Sequence, residues 1–130
     1  MSGADVKDLS VLVVDDNEPM RLLLRKMLSD LGILDVTTAN DGIEALKMMR
    51  QRLPDLVITD QQMAPLDGLE LVRELRTSHD ANVKDIPVIM ITGHMAKNVL
   101  RDAVKVGVND FLAKPISPAT LKERVLKVVS

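Results

Sequence analysis

Short apolar runs alternate along the chain with stretches whose apolar positions recur every three or four residues. Val11-Leu12-Val13-Val14 is the first uninterrupted run and predicts a strand. Met20, Leu23, Leu24, Met27, Leu28 and Leu31 follow at helical spacing and predict an amphipathic helix. Asn17 is placed to cap that helix, Pro19 is tolerated in its first turn, and Gly32 stops it. Val36-Thr37-Thr38-Ala39 is a second, more polar strand, and Asn40-Asp41-Gly42 a turn and cap before a helix with Leu46, Met49 and Leu53 on its apolar side. Pro54 lies just beyond, where helices commonly end. Leu56-Val57-Ile58-Thr59 is the third strand, and Asp67-Gly68 opens a third helix with Leu71, Val72 and Leu75 inward. Residues 87–92 form the fourth strand, and Ala96, Val99, Leu100, Ala103, Val104 and Gly107 mark one face of the fourth helix. Phe111-Leu112-Ala113 is a short fifth strand, and Ser117-Pro118 caps a last helix that buries Leu121, Val125 and Val128.

Five such strand–helix units predict an α/β fold of (βα)5 type, a doubly wound five-stranded parallel sheet with helices on both faces. The runs at 11–14, 56–59 and 87–92 are nearly continuously apolar, as strands buried on both faces must be. Those at 36–39 and 110–113 carry Thr or Asp and suit the edges. With right-handed crossovers, this favours the order 2-1-3-4-5, the flavodoxin-like arrangement. No repeat, low-complexity tract or linker interrupts the pattern, so residues 1–130 read as a single domain with its core at about 9–129.

Composition narrows the function classes. A 46% hydrophobic and 28% charged chain is a globular mix. The net charge of -2 lacks the basic surplus of a nucleic-acid-binding module. Cys is absent, so thiol catalysis, disulfides and Cys-based zinc sites are excluded. His occurs only at His79 and His94, and one Phe with no Tyr or Trp leaves no material for stacking platforms or flavin sandwiches. The eight Met fill gaps in an aliphatic core. No apolar run approaches the roughly 20 residues that span a bilayer, and the first residues lack the marks of a signal peptide. The expected setting is cytoplasmic, without membrane or direct nucleic-acid contact.

In open α/β sheets the reactive crevice lies beyond the carboxyl ends of the strands. Here the first strand ends in Asp15-Asp16, the third in Asp60, the fourth in Thr92, and the fifth runs into Lys114-Pro115. Each alone reads equally well as a turn or cap residue; five together point to a site. Three converging carboxylates would raise one another's pKa unless compensated, by a hard divalent cation such as Mg²⁺ and by the fixed charge of Lys114. The set suits phosphoryl transfer to a carboxylate, with an amine and a hydroxyl holding the transferred group. Asp60, the lone carboxylate on the central third strand, is the expected nucleophile, and Asp15 and Asp16 the metal ligands, direct or through water.

The segments Val11 to Asp16, Asp60 followed by Met63 and Asp67-Gly68, Ile91-Thr92, and Phe111 to Pro115 resemble the receiver domain of two-component response regulators, the CheY-like superfamily. The likeness runs from about Leu9 to the end. It implies that Asp60 is phosphorylated from the phosphohistidine of a sensor histidine kinase or phosphotransfer protein, and that the chain is a self-phosphorylating acceptor, not an enzyme in the ordinary sense. Asp16, Asp60 and the backbone carbonyl of Gln62 would bind Mg²⁺, with Asp15 reaching it through water. Thr92 would move to the phosphoryl group, Lys114 would pair with it, and the bond before Pro115 would be cis. Thr92 and Phe111 would form the switch pair, with Gln62 and His94 overhanging the site and tuning phosphoryl lifetime. Output to a downstream protein, a flagellar motor switch or another target, would use the fourth and fifth helices with the fifth strand.

Plainer readings stand beside these. Phe111 reads also as an edge-strand core residue, His94 as a solvated loop side chain, and Lys97, Arg101, Lys105, Lys122, Arg124 and Lys127 as solvated helix faces. Phe111 lacks the hydroxyl of the Tyr often found there, and Met63 is followed by Ala64 before Pro65, where the family usually has Pro directly. A stand-alone, monomeric chemotaxis-type regulator is the expectation. The alternatives are a receiver cut from a larger regulator or hybrid kinase, or a phosphorelay intermediate. An aspartyl-phosphate phosphatase would need a second Asp where Gln62 stands, and a flavodoxin-like carrier would need a Gly-rich phosphate loop after the first strand.

Overall fold

The computed structural model of the chain describes residues 6–93 and 96–129. Its strands are β1 (Ser10–Val14), β2 (Asp35–Ala39), β3 (Leu56–Asp60), β4 (Val88–Thr92) and β5 (Asp110–Ala113). They form one parallel sheet in the order β2-β1-β3-β4-β5, as the polarity of the edge runs predicts. The helices are α1 (Glu18–Asp30), α2 (Gly42–Gln51), α3 (Gly68–Arg76), α4 (Ala81–Lys84), α5 (Lys97–Val106) and α6 (Pro118–Val129). The one-turn α4 lies in the connection before β4 and carries too little apolar periodicity for the sequence to announce it.

Alternation along the strands divides the core in two. Val11, Val13, Ile58, Ile89, Ile91 and Leu112 pack on one side against Leu24 and Leu28 of α1 and Leu121 and Val125 of α6. Leu12, Val14, Val57, Val88 and Met90 pack on the other against α2, α3 and α5, through Ala45, Met49, Leu71, Val72, Leu75 and Ala103. β3 and β4 are buried at every residue, which is why their sequence runs are continuous instead of alternating.

Two predicted helix faces are wider than the faces the sheet covers. Leu23 of α1 is 44% exposed and Val104 of α5 61% exposed, and Leu53 lies beyond the end of α2 with its side chain partly in solvent. Helical spacing marks the apolar side, but the arc a flat sheet contacts is narrower.

Caps fix where the helices begin beside the strand ends. Asn17 accepts from the Met20 amide, and Asp41 from Glu44. Asp67 and Glu70 form a reciprocal capping box at the start of α3. Gly107 ends α5 at φ 113°, a left-handed conformation that an L side chain rarely adopts. At the same end of the sheet, Arg76 closes α3 onto its neighbours. Its guanidinium donates to the carbonyls of Lys84, Ile86 and Gly107 and to Asn109 Oδ1 at 2.7–3.1 Å. Among the described residues no helix is long and apolar enough to cross a membrane.

Candidate functional site

The carboxyl ends of β1, β3 and β4 carry Asp15, Asp60 and Thr92, which are 0%, 5% and 2% exposed. Asp16 and Lys114, at the same end of the sheet, face solvent. Asp15, Asp16 and Asp60 each offer a carboxylate oxygen within 4.8 Å of the others. Lys114 Nζ lies 3.3 Å from Asp60 Oδ1.

Backbone bonds hold these residues at fixed heights. The Asp15 amide donates to Ala39 O, and its carbonyl accepts from Arg21 Nη1 at 2.7 Å. The Lys114 amide donates to Thr92 O, which ties the end of β5 to that of β4. The Lys114–Pro115 peptide is cis, and so is Ala64–Pro65 in the loop that departs from the family pattern. That loop returns to β3 where the Gly68 amide donates to Gln61 O at 2.9 Å. A Cβ on Gly68 would stand 2.4 Å from Asp60 O, so only glycine permits the approach.

The electrostatics of the cluster are unbalanced. Asp15 Oδ1 accepts from the Asn17 amide at 2.9 Å, but its buried Oδ2 has no hydrogen-bond partner among the described residues. Burial pushes the Asp15 carboxyl above its ordinary range, the Asn17 hydrogen bond pulls it back, and the charge of Asp60 raises it again. Burial, more than mutual repulsion, is thus the main cause of the shift. A desolvated carboxylate oxygen without a partner, beside two further carboxylates, is a donor set that suits a hard divalent cation.

Thr92 and Phe111 share a face of the sheet, since Met90 is opposite Phe111 and Thr92 lies two residues further on. Phe111 is half-buried against the α2, α3 and α5 side of the core. Gln62 is exposed in the loop after β3, and His94 lies outside the described residues. Sequence reasoning missed Gln61, whose side chain meets the Thr92 hydroxyl, and Arg21, which braces Asp15. The pairing register of β3 with β4 was the signal for the first. A cavity of about 640 Å³ between α2 and α3, lined by Leu46, Met49, Leu53, Glu74 and Val83 among others, shares no residue with the acidic cluster.

The model of the response regulator receiver domain family matches residues 11–126. The chain belongs to this family. As a receiver it is 36% identical over 122 residues to the chemotaxis protein CheY-3 of Vibrio cholerae, covering 94% of this chain and 92% of that protein. Among solved structures, Vibrio cholerae CheY4 superposes with a TM-score of 0.85 at 32% identity, covering 92% of this chain and 98% of CheY4. The receiver domain of the sensor histidine kinase PA1611 of Pseudomonas aeruginosa, solved with magnesium coordinated in its active-site cleft, superposes with a TM-score of 0.83 at 29% identity. That match covers 93% of this chain and 97% of the PA1611 receiver. The chain is thus a receiver domain of the CheY type, in the response-regulator arm of two-component signalling.

Proposed function

We propose that this receiver accepts a phosphoryl group on Asp60 from a phosphohistidine and thereby switches its binding to a downstream protein. The observation that carries the reading is the contact of Lys114 Nζ with Asp60 Oδ1 at 3.3 Å, beside the carboxylates of Asp15 and Asp16. A carboxylate oxygen of Asp60 attacks phosphorus, the P–O bond forms as the P–N bond to the donor imidazole breaks, and the imidazole leaves. Lys114 stabilises the negative oxygens of the transferred group, and Thr92 donates its hydroxyl to one of them. Asp16, Asp60 and the Gln62 carbonyl would hold Mg²⁺ with Asp15 through water, and the bound ion would neutralise charge on the phosphoryl oxygens. The buried, unpartnered Oδ2 of Asp15 supports that assignment.

Phosphorylation adds roughly two negative charges, drawn on by Thr92 and passed to Phe111 on the same face of the sheet. The output surface is then α5, β5 and α6, which carry Lys97, Arg101, Lys105, Lys122, Arg124 and Lys127. Gln62 and His94 set the lifetime of the phosphorylated form. Residues 1–130 form one receiver domain that acts as a monomer in the cytoplasm, between a histidine kinase or phosphotransfer protein and its target.

Intact mass after brief incubation with acetyl phosphate tests the reading, with Mg²⁺ or with EDTA, on wild type and Asp60→Asn. One labile phosphoryl group should appear, only with the metal and only in wild type. Phosphorylation of Asp60→Asn to the same extent would overturn it.

A further inference from the structure

The carboxamide of Gln61 has no role in the chemistry described above, yet its place is closely held. The Gln61 amide donates to Ile91 O at 3.0 Å, and its carbonyl accepts from the Gly68 amide at 2.9 Å. Asp60 is opposite Ile91 in the β3–β4 register, so Gln61 and Thr92, the next residue on each side, stand level. The Thr92 hydroxyl donates to Gln61 Oε1 at 2.6 Å. That is short even for an O–H···O bond, whose usual length is about 2.7–2.8 Å. With Thr92 only 2% exposed, water does not compete for it.

A hydroxyl carries one hydrogen. While it is given to Gln61, it cannot be given to a phosphoryl oxygen on Asp60. We propose that Gln61 is a positioning residue that latches the Thr92 hydroxyl in the unphosphorylated state and so opposes the switch. The inference rests on the phosphorylation reading above and adds to it the group that must let go. Because the bond exists in one state and not the other, it biases the equilibrium between them, and a ligand selecting the switched state works against it.

The probe is fluoroberyllate, a tetrahedral phosphoryl analogue, titrated with Mg²⁺ and followed by ¹⁹F NMR on the intact chain. Gln61→Met keeps the length of the side chain and removes the acceptor. It should bind fluoroberyllate roughly two- to tenfold more tightly than wild type, the equilibrium worth of one net hydrogen bond. In a Thr92→Val background the same substitution should change affinity by less than about twofold, because the partner is gone. Unchanged or weaker binding by Gln61→Met where Thr92 is intact, or an equal gain with Thr92 intact and with Thr92→Val, would overturn the latch. Failure of wild type to bind fluoroberyllate at all would overturn the phosphorylation reading and the latch with it. A second readout needs neither ligand nor a Gln61 variant. Thr92→Val should shift the ¹H–¹⁵N resonances of the Gln61 carboxamide in the free protein, and no shift would refute the bond.

Discussion

Replacing Gly68 by Ala should destabilise this receiver, although general propensity argues for the opposite. Gly68 has no positive φ and begins a helix, so losing glycine's flexibility in the unfolded chain would normally stabilise by about 0.4–1 kcal/mol. The tertiary contact reverses the sign. The added methyl would sit 2.4 Å from Asp60 O, 3.0 Å from Gln61 Cα and 3.2 Å from Asp60 C. All three atoms are backbone, at or just past the end of a strand buried along its whole length, so relief requires moving the β3–α3 loop. Overpacking of this kind costs about 1–3 kcal/mol. The Gly68 N–H bond to Gln61 O is lost as the loop moves, at about 1 kcal/mol. After subtracting the unfolded-state gain, the net loss is about 2 kcal/mol. Urea unfolding followed by far-UV circular dichroism measures it, since the chain has no Trp or Tyr to report by fluorescence. With a slope of about 1–3 kcal/mol per M, the midpoint should fall by about 1 M. Gly93→Ala is the control, because a Cβ there meets nothing within 4 Å among the described residues. A Gly68→Ala protein as stable as wild type, or more so, would refute the close approach.

Three further outcomes follow from the same geometry. Asp15→Asn should stabilise the metal-free protein at neutral pH by about 1 kcal/mol or more, the lower end of the cost of an unpaired buried polar atom. Because the folded carboxyl titrates above its unfolded value, wild type gains from protonation. The difference should therefore narrow as pH falls through the raised Asp15 pKa and close below the ordinary 3.8, as denaturation at a series of pH values would show. Mg²⁺ should raise the melting temperature of wild type in calorimetry and leave Asp15→Asn and Asp16→Asn nearly unmoved; equal shifts in all three would argue against binding at the carboxylates. Arg76→Met should cost about 3 kcal/mol or more, since it strips the donors from four acceptors at the far end of the sheet. Arg76→Lys should not rescue it, because an ammonium lacks the planar fork; full rescue in chemical denaturation would refute the clamp.

The order of the strands was legible in the residues because burial on both faces leaves no polar position. Val11–Val14, Leu56–Ile58 and Val88–Ile91 are apolar throughout, whereas Thr37, Thr38 and Asp110 betray the edges. That Asp15, Asp60 and Thr92 gather at one end of the sheet was legible for a related reason, since each directly ends such a run. Less accessible was how much of each helix the sheet covers, and Leu23 and Val104 consequently lie in solvent despite correct spacing. Helical period is a property of one segment; coverage depends on two.

What the chain decided alone was local: which segments are strands or helices, where Asn17, Asp41 and Asp67 cap, and which side chains carry charge. What only the tertiary structure decided was distance between segments remote in sequence. The Thr92–Gln61 bond, the Gly68 approach to Asp60 and the Lys114–Asp60 contact each join different elements. They depend on register and loop closure to within an ångström, and hydrogen bonds and steric overlap vary steeply on that scale.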